Sequence, residues 1–240
     1  MSDDVHPPRH PRSADEELLE AETSAILAEL TDAQRLLRIQ DELRNGFAAL
    51  GQIGKAVSIF GSARTPRDDP RYEQARALAQ RLGEEGFSII TGGGPGIMEA
   101  ANRGARDAGV PSVGLGIELP HEQGMNEYVD LGLNFHYFFT RKVMFVRYAS
   151  GFVVFPGGFG TMDEMFEAAT LRQTEKIRYF PIVLVGSDYW SGLTAWLRDS
   201  MLADRYIGEA DLEAIAVCDD LDRVVDIVED VEHRRPRRAA

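Results

Sequence analysis

FVVFPGGFGTMDE, residues 152–164, holds a strand, a glycine turn and the opening of a helix in one short stretch. Phe152, Val153, Val154 and Phe155 are apolar without alternation, so both faces of their strand must be covered. Pro156, Gly157 and Gly158 break the run, and a helical pattern follows over residues 162–176. The same order of apolar run, loop and helix extends outward in both directions. Apolar runs stand at residues 56–60, 87–90, 112–116, 135–139, 182–185 and 214–217, with helical stretches at 70–83, 97–108, 140–149, 190–203 and 220–231. Strands apolar on both faces and alternating with helices form a parallel sheet between two helical layers. The right-handed crossover rule makes this an α/β fold, a Rossmann-like doubly wound parallel sheet sandwiched by helices. Strand order is not readable at this level.

Ahead of this body, Ser13 with Glu16 and Thr31 with Gln34 read as capping boxes, opening helices near 14–30 and 32–50. Leu36, Ile39, Leu43, Phe47 and Leu50 give the second helix one apolar stripe, which must pack on the body of the chain or on a neighbouring subunit. The expected layout is a disordered polar tail (1–12), an N-terminal helical extension (13–53), a Rossmann-like catalytic domain (54–232) and a basic tail (233–240).

The chain has 240 residues, 44% hydrophobic and 27% charged, which suits one large α/β domain. The lone Cys218 excludes an intramolecular disulfide and fits a reducing compartment. The polar start and the lack of an 18-residue apolar run predict a soluble cytoplasmic protein with no membrane partner. A formal net charge of −13 argues against nucleic acid. That charge is uneven: residues 1–53 carry −6, 54–208 only −2, 209–232 carry −9, and the last eight residues +4. The near-neutral middle can hold a small anion.

Ligands of such sheets bind beyond the carboxyl ends of the strands. Three glycine loops stand there: Gly61-Ser62-Ala63-Arg64, Thr91-Gly92-Gly93-Gly94-Pro95-Gly96 and Pro156-Gly157-Gly158-Phe159-Gly160-Thr161. Glycine lets backbone N–H groups approach an anion, and a helix N-terminus adds partial positive charge. Each loop alone also reads as a tight turn; three on one edge read as a phosphate site. No G-x-x-x-x-G-K-[ST] is present, and Glu99 and Asp163 stand where the dinucleotide fingerprint needs its third glycine. One phosphate and a nucleoside fit better than a triphosphate or a dinucleotide.

Glu164 has two readings. With Thr161 as N-cap it completes a capping box at N3. Yet Asp163 and Glu164 beside a phosphate are unfavourable unless they face another part of the ligand. A ribose C1′ that turns positive in an oxocarbenium-like transition state is such a part, and a carboxylate there can also activate water. Arg141-Lys142 opens the helix after the fourth apolar run, where the dipole disfavours cations, and a surface role competes with an anion-binding one. The five histidines show no zinc spacing, and no metal or organic cofactor is expected. A pyridoxal-dependent decarboxylase would need a Schiff-base lysine, for which only Lys142 lies on the right edge.

Within residues 155–164, Pro156 to Glu164 match P-G-G-x-G-T-x-x-E, which resembles the signature of the LONELY GUY (LOG) family of cytokinin riboside 5′-monophosphate phosphoribohydrolases, long labelled lysine decarboxylases. Arg141-Lys142 resembles the family's second motif, and residues 92–99 its G-G-G-x-x-G-x-M loop with one residue fewer before the second glycine. The resemblance implies that Arg141 and Glu164 are catalytic. It implies that Gly157, Gly158, Phe159, Gly160 and Thr161 hold the 5′-phosphate, and that Glu122 and Thr170 make further nucleotide contacts. With the loop residues Gly61, Ser62, Ala63, Gly93, Gly94 and Met98, and with Lys142 and Asp163, these make up the expected nucleotide site. The helical segment and the Gly-Pro-Gly loop look more like longer bacterial relatives. The implied reaction is release of free base and ribose 5-phosphate from N6-modified adenosine 5′-monophosphates. A general nucleoside 5′-monophosphate nucleosidase and a non-catalytic nucleotide- or cofactor-binding protein stay open. Self-association as a homodimer or larger, up to a hexamer, is implied as well.

Overall fold

The computed structural model describes residues 13–19, 30–118 and 124–234. Among them lie strands β1 (Ala56–Phe60), β2 (Ser88–Thr91), β3 (Ser112–Ile117), β4 (Leu131–Phe135), β5 (Phe152–Val154), β6 (Ile182–Leu184) and β7 (Ile215–Val217). They form one sheet in the order β4-β3-β2-β1-β5-β6-β7, with every neighbouring pair parallel. Strand order reverses between β1 and β5, so the crevice beyond their carboxyl ends is where this architecture places a ligand.

The helices are α1 (Ala14–Leu19), α2 (Asp32–Leu50), α3 (Pro70–Glu84), α4 (Ile97–Asp107), α5 (Phe138–Tyr148), α6 (Phe159–Gln173), α7 (Ser187–Trp196), α8 (Glu209–Glu213) and α9 (Leu221–Arg234). Val57 and Ile59 of β1 face α3, α4 and α9 through Tyr72, Leu78, Ala101 and Val224. Ala56 and Phe60 face the opposite layer, with Leu50, Phe145, Met165 and Trp190 from α2, α5, α6 and α7. The doubly wound, helix-sandwiched sheet is therefore the observed fold, with α2 packed in one of its layers.

Thr31 and Gln34 form the expected reciprocal capping box on α2. Ser13 accepts the Glu16 N–H at 3.1 Å at the start of α1. The rest of the first expected helix, the 1–12 tail and the last residues of the basic tail lie outside the described residues. The expected 190–203 helix starts three residues earlier, and its second half, Leu197–Leu202, winds as a π-helix.

One strand is misplaced by the sequence pattern. The run at 135–139 is not a strand: β4 ends at Phe135, and α5 has begun by Phe138. β4 is an edge strand paired only with β3, so it is half-exposed and does not read as a continuous apolar run. Of the aromatic cluster, Phe135 and Tyr137 are buried, while Phe138 and Phe139 are exposed on the first turn of α5.

The tight α3–α4 contact depends on Gly104. A Cβ there would strike the Arg76 carbonyl oxygen and stand 2.8 Å from the Ala79 Cβ. Gly104→Val should lower stability by about 3 kcal/mol through overpacking. A urea midpoint equal to wild type would contradict this.

Candidate active site

Beyond the carboxyl ends of β1 and β5 lies a cleft of about 710 Å³, lined by all three glycine loops together with residues of α4, α5 and α6. The first loop contributes Gly61, Ser62, Ala63 and Arg64, and the second Gly92 and Gly94. Backbone bonds tie the loops together: Ser62 N–H donates to Pro156 O at 3.0 Å, and Ile97 N–H donates to Ser62 O at 3.1 Å. Gly96 joins them with φ +68°, and a Cβ there would strike the Ser62 carbonyl. No side chain fits that position.

The second loop is fixed from below. Asn102, fully buried on α4, accepts from the Thr91 hydroxyl at 2.6 Å and donates to Ser112 Oγ at 2.9 Å. Asn126 donates to the carbonyls of Gly93 and Gly94, both at 3.0 Å. Sequence reading did not single out Asn102, because its partners come from two different strands. Gly92 was read only as one glycine of the second loop. A Cβ there would stand 2.6 Å from an Arg141 guanidinium nitrogen, so glycine makes room for Arg141. Arg64 of the first glycine loop and Phe138 also line the cleft, together with Phe60 and Ile117, which the sequence pattern placed only in or near strands.

α6 opens on the cleft at Gly158, its N-cap, with no side chain capping it. Its first N–H groups lack intrahelical acceptors, and the helix dipole favours an anion there. Gly158, Phe159, Gly160 and Thr161 all line the cleft, and Phe159 is 96% exposed. The expected capping box is not formed. The helix starts two residues before Thr161, so Thr161 stands at N3 and Glu164 on the second turn. A backbone cap at Gly158 leaves no signature of Ser, Thr, Asp or Asn in the sequence.

Glu164 is 5% exposed, lines the cleft, and has Oε2 buried without a hydrogen-bond partner. Burial raises its pKa from 4.5 to about 7, against the pull of Lys142 and Arg141. Arg141 reaches the cleft from α5, its Nε–H donating to Leu115 O at 2.7 Å and its guanidinium 5.1 Å from the Phe145 ring centre.

Several expected contacts are placed elsewhere. Lys142 does not line the cleft; its ammonium lies 2.9 Å from Asp163 and 3.0 Å from Glu167, joining α5 to α6. Burial opposes its charge, but these two ion pairs outweigh that and raise its pKa. Asp163 does line the cleft. Gly93 faces a neighbouring hollow of about 310 Å³ with Glu118, Met125 and His136. Gly157 does not line the cleft; its carbonyl accepts from the Tyr189 hydroxyl at 2.6 Å. Thr170 is exposed further along α6, with its hydroxyl on Phe166 O. Met98 lines the cleft, and Glu122 lies outside the described residues.

Among the described residues no group of three His, Cys, Asp or Glu is placed to hold a metal, and no helix is long and apolar enough to cross a membrane. None of the three lysines, Lys55, Lys142 and Lys176, lines the cleft, so these residues do not fit a pyridoxal Schiff base in it.

A family model described as possible lysine decarboxylase matches residues 98–228, a range that includes Arg141 and Glu164. The chain is 29% identical over 169 residues to a cytokinin riboside 5′-monophosphate phosphoribohydrolase of Mycobacterium marinum, covering 69% of this chain and 89% of that protein. It is 29% identical over 162 residues to a pyrimidine/purine nucleotide 5′-monophosphate nucleosidase of Escherichia coli K12, covering 60% of this chain and 34% of that longer protein. Among solved structures, the Moco carrier protein of Chlamydomonas reinhardtii aligns with a TM-score of 0.55 at 20% identity, over 75% of this chain and 99% of that one. That likeness is one of fold.

Proposed function

This chain belongs to the family described as possible lysine decarboxylase, and on that premise we propose that it hydrolyses the N-glycosidic bond of nucleoside 5′-monophosphates. The products are free base and ribose 5-phosphate. The observation that carries this reading is Glu164, a buried carboxylate with an unpartnered oxygen, facing the cleft one turn beyond an uncapped helix N-terminus. The 5′-phosphate binds the N–H groups of Gly158, Phe159 and Gly160, the Thr161 N–H being already donated to Gly158 O at 3.1 Å, and this brings the ribose toward Glu164. As the C1′–N bond breaks, its electron pair leaves with the base, and Glu164 stabilises the positive charge at C1′. Water adds to C1′ and Glu164 takes its proton, while the departing base takes a proton from solvent at the ring nitrogen that held the ribose; Glu164 then returns its proton to solvent. Arg141 offsets the negative charge that phosphate, Asp163 and Glu164 bring together. Lysine decarboxylation lacks its lysine here.

The names of both relatives support the reading, and from that of the Mycobacterium marinum protein alone we infer N6-modified adenosine 5′-monophosphate as the preferred substrate. A chromatographed panel of AMP, GMP, CMP, UMP and isopentenyladenosine 5′-monophosphate tests it. Faster base release from the prenylated nucleotide supports that preference; equal rates across the panel support a general nucleosidase; bound nucleotide with no released base leaves a binding protein.

Because protonated Glu164 cannot accept the proton of water, kcat/KM should rise with pH through about 7. A profile that is flat between about pH 5 and pH 8 contradicts its role as base. Phe138, Phe139 and Val143 on α5 are exposed apolar residues, which supports self-association. Light scattering should return at least twice the protomer mass, and a monomer would contradict this.

A further inference from the structure

Two carboxylates from the N-terminal helices meet the start of α5, outside the cleft. Glu42 of α2 is 8% exposed. One of its oxygens accepts the His136 N–H at 2.8 Å and lies 2.7 Å from His136 Nδ1; the other accepts the Thr140 hydroxyl at 2.6 Å. Asp15 of α1 accepts the Phe138 N–H at 3.1 Å. The N-cap residue of α5, Tyr137, makes no side-chain cap of its own. A helix start needs acceptors for its orphan N–H groups and favours negative charge. Here Asp15, 123 positions away, accepts the first helical N–H, while Glu42, 94 to 98 positions away, holds the residue before the N-cap and the Thr140 hydroxyl and brings negative charge to the helix start. The contact is close as well: a Cβ at Gly46, one turn beyond Glu42, would stand 2.7 Å from Met144 of α5.

A buried carboxylate is costly unless its oxygens are bonded, and packing alone would be served by an apolar side chain. What the bonds fix is the first turn of α5, which carries Arg141 into the cleft. We infer that Glu42 is a positioning residue, through which the N-terminal helices hold Arg141 at its working place opposite Glu164. This rests on the hydrolase reading above. It gives the N-terminal helices a task in catalysis, although none of their described side chains lines the cleft.

On the hydrolase reading the phosphate is held mainly by the N–H groups at the start of α6, while Arg141 acts on the charge of Glu164, so loosening α5 lowers kcat more than it raises KM. Glu42→Ala should cut kcat for AMP by about 10- to 100-fold with KM within about 3-fold, the scale expected for a displaced catalytic group. Glu42→Gln should restore kcat to within about 3-fold. Its amide oxygen accepts from His136, and its NH₂ donates to Thr140 Oγ. The Thr140 proton then goes to Tyr137 O, already 2.8 Å away. Melting curves set an assay temperature at which each variant is fully folded. Wild-type kcat in Glu42→Ala overturns the inference, and so does equal impairment of Glu42→Ala and Glu42→Gln. If Glu42→Ala does not fold, Thr140→Val removes one contact at constant shape and should show the same split at about 5-fold.

Hydrogen exchange separates this inference from the hydrolase reading. If wild type releases no base, the reaction is wrong, yet amides 138–142 should still exchange slowly in wild type and Glu42→Gln and faster in Glu42→Ala. Equal exchange in all three overturns the clamp itself.

Discussion

Glu164→Gln should lower kcat for base release by about 10³-fold or more, while AMP binds as tightly as before or tighter. The loss follows from removing both the charge that stabilises C1′ and the acceptor of the water proton. The retained binding follows from position: the carboxylate lies beside a phosphate site, and neutralising it removes a repulsion. Calorimetry with AMP and single-turnover kinetics separate the two effects. Weakened binding with an unchanged chemical step would mean that Glu164 holds the nucleotide rather than acting on it.

The same substitution should stabilise the protein at alkaline pH. Glu164 titrates near 7 in the fold against 4.5 ordinarily, because burial disfavours its charge. The folded state thus holds the proton more tightly than the unfolded state between those values, and stability falls as pH rises through that window. Above it the penalty is complete, about 3 kcal/mol for a shift of this size. Glutamine carries no charge to bury, so Glu164→Gln should gain most of that amount at pH 8, about 6–12 °C in Tm for a domain of this length. Near pH 4.5 the two proteins should melt together, since the carboxyl is protonated in the fold. Equal stability at pH 8 would show that Glu164 does not carry a buried charge.

Legibility divides along physical lines. β1, β5 and the loop from Pro156 into α6 were readable because a strand covered on both faces is apolar without interruption, and glycine marks the turn that follows. β4 was not, because an edge strand built on Leu131, Gly132 and Asn134 carries only a faint signal beside the aromatic cluster that follows. The start of α6 was misjudged because Thr161 and Glu164 have the spacing of a capping box, whereas backbone at Gly158 begins the helix. Lys142 was read as a ligand contact because its motif lies on the active edge. In the fold its charge is spent on Asp163 and Glu167, which stand 21 and 25 positions away in sequence. The Glu42 contacts to His136 and Thr140 have no local pattern at all. They exist only once α2 packs on α5.

The most direct test of the hydrolase reading is incubation of the full chain with AMP at pH 8, beside Glu164→Gln, with products separated and counted over time. Wild type should release adenine and ribose 5-phosphate in equal amounts, and Glu164→Gln should release neither on the same timescale. No adenine from wild type, or the same rate from both proteins, would contradict the central claim.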